Sequence, residues 1–387
     1  MRVALLCNDI PPGFGVPVAA PGIRAWSLAS GLRSHGVDAR LVVPTHALSR
    51  VFGNRTGFSP PRGCDVVKSR DVSAFLEAQR FHAVVLTNFN QVGALRGVSG
   101  AAVVYDMFAP RLLELLATQL PRNQLRKKLA EMWARKAEAL RLASLVIVNG
   151  AKKLAYCQRL VSLATGSQDT KTVVVPMGLP AHGDAGSSRP PPASEVSLPA
   201  RSRVLMAGYL QGWSLPGPWV KDAVSEIKDN NGILEIIAPE HWAQGGTLER
   251  PEILREVGAS DSVLFSRPTT LSSLLVRTRE SRVVLDLFAE SLERKYAMVT
   301  RTVTALAVGV PAIHPPFTEI SPLLRQYDAG WLVDPDDTEG LRRAIRAALS
   351  DEELVNQKAR NAALLSREVL SPEVATSEFV KHLWYLI

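Results

Sequence analysis

The sequence contains few cysteines, and their positions argue against two kinds of protein. Its 3 cysteines, Cys7, Cys64 and Cys157, are spread over 387 residues. They show neither the paired spacing of a zinc site nor the even number of a disulfide framework. We therefore expect a protein of a reducing compartment, with no metal site and no disulfide bonds.

Long apolar runs are also missing. No stretch approaches the roughly 18 consecutive apolar residues that a membrane-spanning helix needs. The first residues, MRVALLC, carry one charge and a short apolar run, which predicts a buried first strand rather than a signal peptide. These features predict a cytoplasmic protein.

Charge is unevenly balanced, with a formal net charge of +8 and an isoelectric point of about 9.5. This excess suits an anionic partner or, alternatively, only a solvated basic surface. Because no zinc-finger or RNA-recognition motif is present, we expect no nucleic-acid partner. The basic stretch 122–141, RNQLRKKLAEMWARKAEALR, predicts a helix that either faces solvent or lies on the inner face of a membrane as a peripheral contact.

Short apolar strands alternate with helical patterns along most of the chain, which predicts parallel, doubly wound sheets. The pattern stops in a Pro-, Gly- and Ser-rich stretch and then starts again. We therefore predict an α/β fold of two Rossmann-like domains with a cleft between them. The predicted first domain is 1–180, the linker 181–203 and the second domain 204–369, and the helix 370–387 is expected to pack back on the first domain.

One stretch of the second half carries a family resemblance. It contains Ala-Leu-Ala-x-Gly-x-Pro at 305–311, a glutamate at Glu319 and Gly-x-Leu-Val-x-Pro-x-Asp at 330–337. This order resembles the donor-binding region of GT-B glycosyltransferases, especially family 4 (glycosyltransferase group 1). The resemblance implies that the helix before Gly309 directs its N-terminal N–H groups at a diphosphate.

The first half contains a matching loop, PGIRAWSLASGLRSHGVDARLVVP, which resembles the Gly-rich loop and first helix of a subgroup of these enzymes. The resemblance implies that the loop, with Gly13, Gly15, Gly22 and Arg24, lies against the donor phosphates or the acceptor. Arg24 would then supply charge-assisted hydrogen bonds. The alternative is that Arg24 only caps or solvates the start of the helix.

The sequence departs from the family at several positions. Tyr296 and Thr304 stand where family 4 enzymes commonly have two glutamates, so a ribose-binding carboxylate is either missing or supplied elsewhere, for example by Glu290 or Glu293. The Arg and Lys that usually follow the first strand of the second domain are replaced by AGYLQGWS. We therefore expect Arg301, at a helix start, to supply the positive charge for the diphosphate.

The resemblance and these substitutions together give a set of candidate site residues. The catalytic candidates are Asp106, which could instead anchor a loop, and Arg301. The donor-binding candidates are Gly208, Tyr209, Trp213, Ser266, Arg267, Glu290, Arg294, Tyr296, Thr300, Thr304 and Glu319. Trp213 could stack on a sugar or base, or only pack, and Ser266 and Arg267 fall where the nucleobase edge is often read in this fold.

The resemblance implies a glycosyltransferase of carbohydrate biosynthesis that uses a UDP-, GDP- or dTDP-linked sugar as co-substrate and no cofactor. Transfer is expected to be metal-independent and retaining, with a saccharide, lipid-linked or natural-product acceptor. A non-enzymatic alternative is a glycosyltransferase-like partner or scaffold subunit that has lost its carboxylates. A dinucleotide dehydrogenase is disfavoured because Gly13-Phe14-Gly15 lacks the third glycine of the fingerprint.

Overall fold

The computed structural model describes residues 1–53, 59–118, 120–167, 169–180, 203–208, 210, 216–238, 241–242, 246–247 and 250–387. The chain divides into two compact units. The first unit comprises Met1–Gly178 and Ser371–Ile387, and the second comprises Leu179–Leu370. Tyr209, Trp213 and the centre of the predicted linker lie outside the described residues.

The first unit is built on a parallel sheet, which has seven strands within the described residues. The strands are β1 (Arg2–Leu6), β2 (Asp38–Pro44), β3 (Cys64–Val67), β4 (Ala83–Leu86), β5 (Ala102–Asp106), β6 (Leu145–Val148) and β7 (Lys171–Val174). Their order is β3-β2-β1-β4-β5-β6-β7, so the direction of winding reverses between β1 and β4. Val3, Ala4, Leu5 and Leu6 of β1 are fully buried, as expected for a parallel strand covered on both faces.

Helices connect these strands. They are α1 (Ala20–Ser34), α2 (Thr45–Phe52), α3 (Val72–Gln79), α4 (Arg111–Leu116), α5 (Arg122–Leu142) and α6 (Ala151–Thr165), with the short 3-10 helices η1 (Ser69–Asp71) and η2 (Phe89–Leu95). Pro121 separates α4 from α5, because it lies at the N-cap of α5 and cannot continue a helix.

The second unit contains another parallel sheet, with six strands within the described residues. They are β8 (Arg203–Ala207), β9 (Ile233–Ile237), β12 (Val263–Ser266), β13 (Val283–Leu285), β14 (Ala312–His314) and β15 (Gly330–Leu332), in the order β12-β9-β8-β13-β14-β15. A small antiparallel pair, β10 (His241–Trp242) and β11 (Gly246–Thr247), follows β9 along the chain. The winding of the larger sheet reverses between β8 and β13.

The helices of the second unit are α7 (Trp219–Asp229), α8 (Glu252–Val257), α9 (Leu271–Arg279), α10 (Leu292–Lys295), α11 (Thr300–Ala307), α12 (Ser321–Tyr327), α13 (Thr338–Ser350) and α14 (Glu352–Glu368). Gly309, with φ of 72°, follows α11 and allows the chain to turn into β14. The Asp337 carboxylate caps α13 by accepting a hydrogen bond from the Gly340 N–H at 2.8 Å.

The last helix, α15 (Pro372–Leu386), returns to the first unit and packs on α1. Gly31 permits this contact, because a Cβ there would lie 2.2 Å from the Pro372 carbonyl oxygen. Phe379 and Leu383 of α15 are fully buried. The C-terminal segment therefore completes the core of the first unit.

The predicted α/β class with two doubly wound sheets is confirmed. The strand β13 ends at Leu285, and the next residue, Asp286, forms an ion pair with Arg301. Among the described residues, none of the helices has the length and apolar character to cross a bilayer. The basic helix α5 buries Lys136 and Leu140 in its second half, while most of its first half is exposed.

Candidate functional site

Polar residues of the second unit gather at one edge of its sheet, where the winding reverses. Gly208 directly follows β8, Asp286 directly follows β13, and His314 is the last residue of β14. Because parallel strands end at the same edge, these three positions lie side by side. In open α/β sheets this edge is the usual place for a ligand.

Arg301, in the first turn of α11, forms an ion pair at this edge. Its Nη2 lies 2.9 Å from Oδ1 of Asp286, and the two side chains are 16% and 0% exposed. Burial lowers the pKa of Arg301, and the neighbouring Asp286 carboxylate opposes that change. An arginine stays protonated even so, so a charged guanidinium, paired with Asp286, lies at the start of α11.

The start of α11 is suited to an anion for a second reason. Val299, at the N-cap, has no side-chain oxygen with which to cap the helix, and the first turn contains no acidic residue. The positive end of the helix dipole is therefore not offset by a capping side chain of the helix itself.

Gly208 makes room for the Arg301 side chain. Its φ is +107°, and a Cβ built on it would lie 2.9 Å from Cδ of Arg301. Any larger residue would therefore both strain the backbone and displace the arginine. This fits the prediction that Gly208 belongs to the donor site, although the binding role itself stays a prediction.

A buried hydrogen-bond network extends from Asp286 into the loop after β14. The Thr302 hydroxyl donates to Oδ2 of Asp286 at 2.7 Å and lies 2.9 Å from Nδ1 of His314. On the other side of the imidazole, Nε2 lies 2.8 Å from the Thr318 hydroxyl. Since the Thr302 proton is directed at the carboxylate, Nδ1 of His314 must carry the ring hydrogen and Nε2 must accept.

Burial lowers the pKa of His314 to about 4, with Asp286 acting in the opposite direction. The imidazole is therefore neutral near pH 7. Asp286 and His314 escaped the sequence analysis. The signal was present, since Asp286 is a lone carboxylate at the end of the apolar run VVL and His314 ends the strand AIH.

Arg294 also lies close to this cluster. It forms a two-pronged ion pair with the adjacent Glu293, and both side chains are buried. The guanidinium carbons of Arg294 and Arg301 lie 5.0 and 5.8 Å from the centre of the Phe288 ring. Phe288 therefore brings two cationic side chains together.

Of the other candidates of this region, Glu290 and Thr304 make local contacts, whereas Glu319 and Tyr296 lie in two loops that are joined by a hydrogen bond. Glu290 is exposed and pairs with Lys295 at 2.5 Å, and the Thr304 hydroxyl donates to the Thr300 carbonyl at 2.7 Å inside α11. Glu319 is 6% exposed, and its N–H donates to the Ala297 carbonyl at 3.2 Å, which ties the loop after β14 to the loop before α11. Tyr296 is the C-cap of α10, in that same loop.

Ser266 and Arg267 lie apart from this cluster, at the end of β12, which is separated from β8 by β9. The Ser266 hydroxyl donates to the fully buried Glu235 at 2.5 Å, and Arg277 contacts the same carboxylate. Arg267 is exposed. The structure does not join these two residues to Arg301.

In the first unit, the Gly-rich loop follows β1. Gly13 and Gly15 have φ values of +107° and +73°, which glycine adopts readily. Gly22 is required for another reason, since a Cβ there would lie 2.0 Å from the Ile10 carbonyl oxygen. Gly22 thus packs α1 against the loop.

Arg24 and Asp106 were predicted separately, and the structure pairs them with each other. Arg24 Nε and Nη2 donate to the two Asp106 oxygens at 2.9 and 3.3 Å, and Nη1 donates to the Pro176 carbonyl at 2.8 Å. Both residues are 1% exposed. Of the alternatives given for Asp106, this geometry favours anchoring, here of α1 to β5.

Among the described residues, no group of three or more His, Cys, Asp and Glu side chains is placed to hold a metal ion. The candidate donor site in the second unit is thus formed by Arg301, Arg294, Gly208 and the start of α11, with Asp286 behind Arg301. Its described cations suit a phosphate or another anion.

Comparison with solved structures identifies the fold as that of the GT-B glycosyltransferases. A sucrose-phosphate synthase from Thermosynechococcus elongatus matches with a TM-score of 0.69 and 15% identity, over 100% of this chain and 99% of the other. HepE from Anabaena, in complex with UDP and glucose, matches with a TM-score of 0.62 and 13% identity, over 100% of both chains. WaaG, a glycosyltransferase involved in lipopolysaccharide biosynthesis, gives 0.62 and 13%, over 97% and 98%.

No protein-family model matches the sequence, and no curated protein matches it either. At these identities the likeness establishes the fold, and the function has to be argued from the site.

Proposed function

We propose that this protein is a glycosyltransferase that transfers a sugar from a nucleoside-diphosphate sugar to an acceptor. The observation that carries the proposal is the position of Arg301. It lies at the start of α11, beside Gly208 and at the edge where the winding of the second sheet reverses. A charged guanidinium and a helix N-terminus at such an edge suit a diphosphate.

Asp286 acts as the positioning residue for Arg301 in this proposal. A guanidinium carries five N–H donors, so an ion pair to one carboxylate is compatible with a further contact to phosphate. Thr302 donates a hydrogen bond to Asp286, and the neutral His314 contacts the Thr302 hydroxyl in turn. A group fixed in this way loses little freedom when a ligand binds.

As the bond between the sugar and the diphosphate breaks and the acceptor oxygen bonds to the sugar, negative charge develops on the leaving nucleoside diphosphate. Arg301 and the N-terminal end of α11 would stabilise that charge, with no metal required in the proposed reaction. The resemblance to family 4 enzymes assigns the donor to the second unit, the acceptor to the first and a retaining outcome. UDP is the first nucleotide to test, because HepE was solved with UDP and with UDP-glucose.

A specific observation supports the scaffold alternative. Tyr296 and Thr304 replace the two glutamates of the family, and the Thr304 hydroxyl is bonded to the Thr300 carbonyl. Glu293 is paired with Arg294. A binding subunit without catalysis would retain the anion site and lack turnover.

The release of nucleoside diphosphate from UDP-glucose, GDP-mannose and dTDP-glucose by the purified chain tests the proposal. We expect slow hydrolysis of one donor above the buffer rate, unchanged by a chelator. Arg301→Lys, which keeps a charge beside Asp286 but loses the planar fork, is expected to reduce it. The matched control is Arg279→Gln at the exposed end of α9. Binding without any turnover, even with acceptor mixtures, would favour the scaffold.

A further inference from the structure

A pocket of about 350 Å³ lies entirely within the first unit. It is found beyond the carboxyl ends of β1, β2 and β4, with α5 on one side. Its described lining consists of Leu6, Asn8, Pro44, His46, Ser69, Val72, Asn90, Gln91, Ala94 and Arg135. This volume is at the small end of the usual range for ligand pockets, about 300–1,000 Å³, so it suits a group of monosaccharide size.

Gln91 is the unusual member of this lining. Gln91 is only 7% exposed. Neither its amide oxygen nor its amide nitrogen has a hydrogen-bond partner among the described residues. Buried amides are nearly always paired in folded proteins. Since Gln91 lines a pocket, a ligand with both donors and acceptors, such as a sugar hydroxyl, would complete it.

The neighbours of Gln91 are held in place by local hydrogen bonds. The Asn88 carboxamide oxygen accepts from the Asn90 N–H at 2.9 Å, which fixes the start of η2. Across the pocket, the Ser69 hydroxyl accepts from the His46 N–H at 3.0 Å and so joins α2 to η1. The pocket therefore presents polar groups from several fixed elements.

The charge of the lining indicates what else the ligand carries. None of the described lining residues is acidic, and Arg135 is cationic. Arg135 is exposed and makes no ion pair within the described part of the chain, although its Nη1 lies 3.4 Å from Oδ1 of Asn90. An arginine that is not offset by a carboxylate favours an anionic ligand group.

We propose that this pocket binds a hydroxyl-rich acceptor of monosaccharide size that carries an anionic group, either a phosphate or a carboxylate. Gln91 and Asn90 contact the hydroxyl groups, and Arg135 contacts the anion. Describing this ligand as an acceptor rests on the proposed function, whereas its binding to the pocket does not.

Calorimetric titration of the full chain with glucose 6-phosphate, glucuronate and glucose, with and without saturating UDP, tests this assignment. We expect one or both of the anionic sugars to bind at least tenfold more tightly than glucose, and their ranking separates a phosphate from a carboxylate preference. Arg135→Gln should weaken the binding of the anionic sugar by roughly tenfold. Arg126→Gln, an exposed arginine of the same helix, is the matched control and should leave it unchanged.

Gln91→Met separates ligand binding from a role in the fold. If the Gln91 amide serves to bind a ligand, the apolar methionine should leave the melting temperature of the protein unchanged or raise it. It should also weaken the binding of the sugar several-fold. A lower melting temperature with unchanged sugar affinity would overturn the role of Gln91. Equal binding of glucose would overturn the anionic class. UDP binding with no binding of any sugar would overturn the pocket alone, while the absence of both would also remove the proposed function.

Discussion

The guanidinium of Arg24 and the carboxylate of Asp106 form a fully buried, two-pronged ion pair between α1 and the end of β5. The N–O distances are 2.9 and 3.3 Å. The guanidinium also faces the Phe108 ring, 5.7 Å from its centre. Two residues with separate predicted roles toward a sugar nucleotide thus satisfy each other's charge inside the first unit.

Asp106→Asn should strongly destabilise the protein, because it leaves the buried Arg24 without its counter-charge. We expect a loss of about 3–5 kcal/mol in the free energy of unfolding, measured by chemical denaturation. Asp65→Asn is the matched control, because its pair with Arg40 has similar geometry but side chains that are 25% and 35% exposed. That change should cost no more than about 1 kcal/mol. Equal effects of the two variants would contradict the structural role of Asp106.

Gly208→Ala should weaken binding of a nucleoside diphosphate, because the new Cβ would lie 2.9 Å from Cδ of Arg301 and push the side chain away. We expect a loss of affinity of roughly fivefold or more, about 1 kcal/mol. Gly166→Ala controls for backbone strain, since Gly166 also has positive φ, +74°, and a Cβ there meets nothing within 4 Å. If Gly208→Ala binds as tightly as the wild type, Gly208 does not shape the site.

Two buried lysines of the first unit should respond in opposite ways to substitution by methionine. Lys136 is fully buried, has no hydrogen-bond partner among the described residues and faces the Phe89 and Tyr156 rings. Burial lowers its pKa to about 8. Lys153 Nζ instead donates to Oδ1 of Asn149 at 2.6 Å and to the Phe108 carbonyl.

Lys136→Met should therefore leave the stability at pH 7 unchanged or raised, since it removes the cost of a buried charge. Lys153→Met should lower it by about 1–3 kcal/mol, because acceptors are left unsatisfied. Thermal unfolding of both variants measures the contrast. A large destabilisation by Lys136→Met would show that its ammonium is needed by the fold.

His314 should make the stability depend on pH in the acidic range. Burial gives it a folded-state pKa of about 4, below the ordinary value of 6.5. The folded state thus binds the proton less well, so the stabilisation is complete above pH 6.5 and is lost as the pH falls toward 4. The loss is on the order of 3 kcal/mol. The free energies of unfolding of the wild type and of His314→Gln, measured by denaturant between pH 4 and 7, should depend on pH with different slopes. Parallel curves would rule out the lowered pKa of His314.

The fold could be predicted from the sequence because its strands are short apolar runs that stand apart from the helices, as in Val204–Ala207. β3 (Cys64–Val67) escaped prediction because only its two end residues are buried, so its pattern resembles a loop. The position of Arg301 at a helix start followed from the family resemblance. The Arg24–Asp106 pair could not be predicted, because its members are 82 residues apart. A pattern of residue types along the sequence does not show which side chains contact each other over that distance.

Calorimetry measures the binding of UDP, GDP and dTDP to the purified wild-type chain and to Arg301→Gln, Arg301→Lys and Arg279→Gln, with folding checked by thermal unfolding. If Arg301 binds the diphosphate, the wild type and Arg279→Gln should bind one of the three nucleotides equally well. Both Arg301 variants should bind it at least tenfold more weakly, about 1.4 kcal/mol. A folded wild type that binds none of them, or folded Arg301 variants with unchanged affinity, would rule out a diphosphate site at Arg301.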